Sequence, residues 1–361
     1  MNTSNHPTPE VKFIMKTYFK ALLAAIIFVP GLALANFQTI FNEMQREGVL
    51  QVELELSLAT LESHARTDAE QAAVFRFTDK QGQAQEWSTE VNVRGRFRRR
   101  ICEFPPIKID FSKQDLKARG LLPFDDLKLV THCQEGKEGQ EAVLREYLAY
   151  QLYSKLTPYN FRAQLVEVTY IDTDTDARFT KYGILLEDTD ELAARLNSEE
   201  CEECYGLSAS NINTEVYLTH AMFQYMIGNT DWSLAMGRNL KIMKPVDGGN
   251  YWISPYDFDF SGLVDANYAI PNQDVGQEFV GQRVYMGEKA SRSDIDKTIR
   301  LFQAKKAELI SCVETFSLLD RGSRKEMARY LEHFFDSLAK GDFFSDASFS
   351  TGDAKAVANG K

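Results

Sequence analysis

IGNTDWSLAMGRNLKIM (227–243) and YWISPYDFDFSG (251–262) decide how this chain is read. Together they carry Asp231, Asn239, Asp257 and Asp259. The apolar run 240–243 leads from the first pair to a turn at Asp247-Gly248-Gly249, and the run 251–254 leads back into the second pair. That pattern predicts a β-hairpin with its polar groups at the open end. Oxygen donors gathered there suit a hard cation such as Mg²⁺, which binds one or two carboxylates together with substrate phosphates. Asp257 and Asp259 alternate with Phe258 and Phe260, so the two carboxylates share a face and repel unless a cation or a proton relieves them. A purely structural calcium ion answers the same need. Asp231 and Asn239 also read as turn residues, because Asn229-Thr230-Asp231 is good capping chemistry.

Upstream of this hairpin the chain is mostly strand. VLQVELELS (49–57), 73–78 and 86–93 alternate apolar and polar residues, and 106–111 and 126–130 add more strand. A long helix is predicted over 141–156, followed by strands at 163–171 and 179–186. Downstream, 190–196, 214–227, 293–311 and 324–338 read as helices, and 214–227 is apolar on most faces and therefore buried. The expected fold class is α+β and bilobal, with a β-rich N-terminal lobe (36–187) carrying one long helix and a mainly helical C-terminal lobe (188–340). A polar tail (341–361) follows.

The chain has 361 residues, 44% hydrophobic and 26% charged, with net charge −11. That balance disfavours a general nucleic-acid binder. Lys16 and Lys20 precede an apolar run from Ala21 to Leu34 that ends in Ala33-Leu34-Ala35, the pattern of a secretory signal over residues 1–35; Met15 offers an alternative start. The run is shorter than the roughly 20 residues of a membrane span, so cleavage after Ala35 is expected to leave no anchor. Export places the five cysteines in an oxidising compartment. Cys102 and Cys133, at the ends of predicted strands, suit a bridge. Cys201 and Cys204 in CEEC suit a local disulfide or free thiols, since no second ligand pair completes a zinc site.

Phosphoryl transfer needs a cation at the phosphates, a lysine, a glutamate that positions it and a carboxylate at the nucleophile. Lys108 in IKI (107–109) and Glu146 in LREYLAYQLY (144–153) are the candidates for the pair, with Asp231 as base and Asn239 and Asp257 on the metal. A lysine alternating with isoleucines is usually the solvated face of a strand, and a glutamate beside Arg145 is usually a surface charge on a helix. VRGRFRRRICEFPP (93–106) sets Arg94, Arg96, Arg98, Arg99 and Arg100 in one turn. Arginine forks suit phosphate, Gly95 permits close backbone approach, and a solvated basic turn is the competing reading.

The order of VRG (93–95), PPIKIDF (105–111), LREYLAYQLY (144–153), KYGILLED (181–188), GNTDW…N (228–239) and PYDFD (255–259) resembles the CotH kinase-like family, over roughly residues 90–262. The resemblance implies a divergent protein-kinase-like fold that binds ATP with Mg²⁺ or Mn²⁺. It implies Lys108 on the phosphates, Glu146 orienting it, and Arg94 and Gly95 near the phosphates. Leu185, Leu186 and Glu187 would lie beside the base, Asp231 at the nucleophile, and Asn239 and Asp257 on the metal. The arginines after Gly95 and the long step from Asp231 to Asn239 depart from the family pattern. The expected function is phosphoryl transfer to a protein or small-molecule hydroxyl. The alternative is an inactive envelope protein that binds an anionic partner or structural calcium.

Overall fold

The computed structural model describes residues 1–2, 38–95 and 97–341. The predicted signal segment, Arg96 and nearly all of the polar tail lie outside the described residues. From Gln38 onward the chain forms one compact unit.

In chain order its elements are α1 (Ile40–Met44), β1 (Leu50–Leu56), α2 (Leu58–Ser63), β2 (Gln71–Thr78), β3 (Ala84–Val93), α3 (Arg98–Ile101), β4 (Ile107–Phe111) and α4 (Lys113–Ala118). Then come β5 (Asp126–Val130), α5 (Gly136–Ser154), β6 (Ala163–Asp172), β7 (Arg178–Leu186), α6 (Thr189–Arg195) and β8 (Ser198–Glu200). The remainder is α7 (Thr214–Ile227), β9 (Leu240–Pro245), β10 (Trp252–Pro255), α8 (Arg292–Glu314) and α9 (Arg321–Lys340).

Seven strands close into a mixed barrel in the order β1-β2-β3-β4-β5-β7-β6. All neighbours are antiparallel except β6 and β1, which run parallel from Leu50 opposite Val166 to Leu56 opposite Asp172. Alternation puts one residue in two inside. Leu54 lies opposite Phe75, Phe75 opposite Trp87, Val91 opposite Ile109 and Ile109 opposite Leu127. These side chains fill the barrel, where Phe111 meets Phe75 and Trp87 edge to face at 5.8 and 5.7 Å.

This closure overturns the expected bilobal protein-kinase-like fold. The β-rich segment is a closed barrel, not a β-sheet N-lobe set against a helical C-lobe. Local periodicity finds the strands but carries no sign of the parallel β1–β6 pairing, which joins residues more than a hundred positions apart.

A second core lies outside the barrel wall. Leu165, Ile184 and Leu186 point outward onto α5; α5 packs on α8 and, through Tyr153 against Phe223 at 4.8 Å, on α7, which packs in turn on α8, α9 and β10. The predicted hairpin is present, with Leu240 opposite Pro255 and Met243 opposite Trp252; β8 extends it to three strands.

Two covalent links and one ionic clasp fix the arrangement. Cys102–Cys133 and Cys201–Cys204 are disulfides and Cys312 is free. Two disulfides suit an oxidising compartment, and among the described residues no helix is long and apolar enough to cross a membrane. Near the N-terminus, Arg162 joins Glu187 (2.7 Å), Glu191 and Asn42 (2.6 Å), while Thr39 donates to Glu191 (2.6 Å).

Removing Cys102–Cys133 by paired serine substitution should cost about 3–4 kcal/mol in a urea melt from loop entropy, and removing Cys201–Cys204 less than about 2 kcal/mol, because the bridged separations are 31 and 3 residues. Burial pushes the Glu191 carboxyl from 4.5 up to about 7, despite Arg162. Its folded form binds the proton more tightly than the unfolded chain. That contribution is complete below 4.5 and is lost as pH rises through 7. Between those pH values the wild type should lose about 2–3 kcal/mol more stability than Glu191→Gln, measured by denaturant melts across the range.

Candidate functional site

The open end of the β9–β10 hairpin is where the polar residues meet. Gly228 ends α7 in the left-handed region at φ 67°, and an added Cβ would lie 2.1 Å from the Tyr330 hydroxyl, so glycine is required there. The chain then turns through Asn229, whose side chain accepts from the Asp231 N–H at 2.9 Å. Asn239 returns across the turn and donates its amide to the Asp231 backbone carbonyl (2.7 Å) and to Asp231 Oδ2 (2.9 Å). The Tyr256 N–H donates to the Asn239 carbonyl at 3.1 Å, which brings Asp257 alongside. Asn239 and Asp257 are both held left-handed, at φ 54° and 64°. Asn and Asp tolerate that region better than other residues, but it is still a conformation the surroundings must impose.

Helix α5 holds the Asp257 segment in place. Tyr150 accepts from the Asp257 N–H through its hydroxyl at 2.9 Å, and Glu146 accepts from the Phe258 N–H at 3.4 Å. Two amides are thus fixed by side chains one helical turn apart.

Arg98 closes the site. The Cys102–Cys133 bond and the Glu103 N–H donating to the Cys133 carbonyl (2.8 Å) tie the arginine turn to the start of α5. Phe97 packs edge to face on Phe260 at 5.4 Å. The buried guanidinium then donates Nη2 to Asp257 Oδ1 (2.5 Å) and Glu146 Oε2 (3.2 Å), and Nε to Asp259 Oδ2 (2.8 Å). The repulsion between Asp257 and Asp259 is therefore relieved by an arginine of the chain itself.

The three carboxylates differ. Burial raises Glu146, and raises Asp259 well above its ordinary value, in each case against Arg98. Burial also acts upward on Asp257, but Arg98 and Arg94 outweigh it and hold that carboxyl below its usual range. Asp257 is also the exposed one of the three, with 32% of its side chain accessible against 3% for the other two. Asp231 is raised, first by burial and then by the charge of Asp257, and is opposed by Arg238 at 3.5 Å.

The structure thus brings together Asp231, Asn239, Asp257, Asp259 and Glu146. Lys108 is bound to Asp110 at 2.9 Å and faces Asp126 at 3.9 Å, and the cation on Glu146 is Arg98. Leu186 is in the core against α5, and Glu187 is enclosed by Arg162 and Arg195. Gly95 turns at φ 80° and its carbonyl accepts from Arg99.

Sequence reasoning missed Lys128. It lies directly opposite Lys108 in the β4–β5 register and is half-buried, with the Thr189 hydroxyl as acceptor at 3.0 Å. Burial lowers its ammonium, Asp126 opposes, and Arg94 and Lys241 lower it further. Its signal was legible: DLKLV has the same alternation as IKIDF and immediately precedes the helix of Glu146. Lys241 bonds Glu200 at 2.5 Å and lines, with Tyr256, Leu240 and the Cys201–Cys204 bridge, a cavity of about 230 Å³.

Asn239 and Asp257, the groups expected to hold Mg²⁺ or Mn²⁺, are both engaged within the chain: the Asn239 amide N–H donates to Asp231, and Asp257 Oδ1 accepts from Arg98. Among the described residues no group of three or more His, Cys, Asp or Glu forms a metal cage by itself.

A cation without a carboxylate partner at bonding distance costs stability unless an anion arrives. Lys128→Met should therefore raise stability by about 1–3 kcal/mol in a urea melt while weakening the binding of phosphate-bearing ligands.

No protein-family model matches the chain, and no curated protein matches it.

Proposed function

We propose that this protein binds a nucleoside triphosphate with Mg²⁺ or Mn²⁺ at the Asp231–Asn239–Asp257 group and transfers its terminal phosphoryl group to a hydroxyl of a protein or small molecule. The observation that supports this reading is the closeness of Asp231, Asn239 and Asp257: the Asn239 amide donates to Asp231 at 2.7 and 2.9 Å, the charge of Asp257 acts on Asp231, and Tyr150 holds the Asp257 backbone. The motif order that resembles CotH kinase-like proteins supports the same chemistry. The signal-like N-terminus and the two disulfides support export to the periplasm or beyond.

A divalent ion held by Asp257 and Asn239 would act there as a Lewis acid on phosphoryl oxygens. Arg94, whose charge acts on Asp257 and on Lys128, would supply positive charge for the phosphates, with Lys128 behind it on the barrel. Asp231, raised by burial and by Asp257, is placed to take the proton of the attacking hydroxyl. The acceptor oxygen forms a bond to phosphorus, the bridging oxygen leaves with the nucleoside diphosphate, and the proton passes to Asp231 Oδ1 or Oδ2. The cavity beside Lys241 and Tyr256 offers space for the rest of one ligand.

A second reading is binding of an anionic ligand without transfer. It is favoured by one observation: Arg98 already neutralises Asp257, which lessens the attraction of that carboxylate for a metal ion.

Under the first reading, Mg²⁺ with ATP should raise the melting temperature as RT ln(1 + [L]/Kd). Asp257→Ala should abolish the Mg²⁺-dependent part while the protein stays folded. Asp231→Asn should keep binding and lose transfer by a factor of about 10²–10⁴. A shift with polyphosphate or an anionic glycan but none with ATP and metal would select the second reading.

A further inference from the structure

The segment SEECEECY (198–205) holds a disulfide that the proposed phosphoryl transfer does not use. The Cys201–Cys204 bridge closes a separation of 3 residues, against 31 for Cys102–Cys133, so it removes little chain entropy from the unfolded state. The two bridges also differ in access. Cys133 is buried at 4% exposure, whereas Cys201 and Cys204 are both half-buried and line the cavity of about 230 Å³ beside Lys241. The Cys201 N–H donates to the Ile242 carbonyl at 2.8 Å, which seats that residue on β9, while Cys204 belongs to the loop that follows.

Exposed apolar side chains border the same bridge. Tyr205 is 68% exposed and Met236 is 52% exposed. The Gly206 N–H donates to the Ala235 carbonyl at 2.8 Å, which joins the cysteine loop to the turn between Ser233 and Arg238. Tyr205 then lies beside Gly237, with its ring 3.9 Å from where a Cβ would stand, and both residues line the cavity with the two cysteines. A thiolate opens a disulfide only where it can reach a sulfur, and accessible bridges are the labile ones. A protein that presents such a thiolate also needs a surface to rest on, and aromatic and methionine side chains are enriched in protein interfaces.

We propose that Cys201–Cys204 is a site of thiol–disulfide exchange with a protein dithiol that docks on Tyr205 and Met236. The partner's thiolate forms a bond to one Sγ and the S–S bond breaks. The other Sγ leaves as a thiolate and takes up a proton. The partner's second thiol then gives up its proton and attacks the mixed disulfide. Two electrons pass to this chain, which ends with Cys201 and Cys204 as thiols, and the partner ends as a disulfide. The exchange uses neither Asp231, Asn239 nor Asp257 and stands without the nucleotide reading.

The test compares two reductants on the folded chain, dithiothreitol and reduced thioredoxin, the latter as the protein dithiol. Acid quenching, alkylation of the freed thiols and peptide mass mapping give the rate at each bridge. Thioredoxin should open Cys201–Cys204 at least about tenfold faster than Cys102–Cys133. Tyr205→Ser combined with Met236→Ser should slow thioredoxin by about tenfold, as expected for lost interface anchors, and leave the dithiothreitol rate unchanged. Equal rates at the two bridges, or Cys102–Cys133 opening first, would overturn the proposal. So would a double variant that thioredoxin reduces as fast as the wild type, or one whose dithiothreitol rate also changes.

Discussion

A single buried guanidinium holds the functional end of this protein together. Arg98 comes from a four-residue helix beside the barrel, Glu146 from the long helix α5, and Asp257 and Asp259 from the strand exit of the hairpin. Three carboxylates brought this close cannot all stay ionised without a counter-charge, and losing one member of such a buried group costs about 3–5 kcal/mol. The cluster therefore fixes where the arginine turn sits, and through it how the 257–259 segment meets α5. Its net charge is uneven. Glu146 and Asp259 are driven toward the protonated form by burial, whereas Asp257 keeps its charge and faces solvent.

Around that cluster the backbone is held in conformations it would not choose. Asn239 and Asp257 both have positive φ, and each is pinned by specific bonds: Asn239 by its own amide on Asp231, Asp257 by the Tyr150 hydroxyl. Strain held in place by several independent contacts is common where ligands bind. Lys128 is a similar case on the barrel side, half-buried and flanked by Arg94 and Lys241. Under the nucleotide reading proposed above, this positive charge and the carboxyl groups of the hairpin would receive a phosphate chain between them, at a cost to the stability of the empty protein.

The sequence made the elements plain and the closure invisible. The strands at 126–130 and 163–171, the helix at 214–227 and the hairpin around Gly248 follow directly from period-2 and period-3.6 patterns, and the structure has them nearly residue for residue. The parallel β1–β6 pairing leaves no local mark, so periodicity alone implies a β-rich N-terminal lobe and not a closed barrel. The same limit applied to the site. Asp231, Asn239 and Asp257 stand on adjoining segments and their meeting was legible. Which of the arginines at 98–100 turns inward was not, because three identical side chains in a row carry no periodic signal. Lys108 and Lys128 sit in near-identical strand contexts, and only the register shows that Lys108 is taken by Asp110.

The most direct measurement is a crystal structure of the protein with Mn²⁺ and a non-hydrolysable ATP analogue, with anomalous diffraction recorded at the manganese edge. The account predicts an anomalous peak about 2.1–2.2 Å from an Asp257 oxygen, close to Asn239, with the Arg98 guanidinium still seated on Asp259. A peak on Asp259 with Arg98 displaced, or metal and analogue bound elsewhere on the surface, would contradict it.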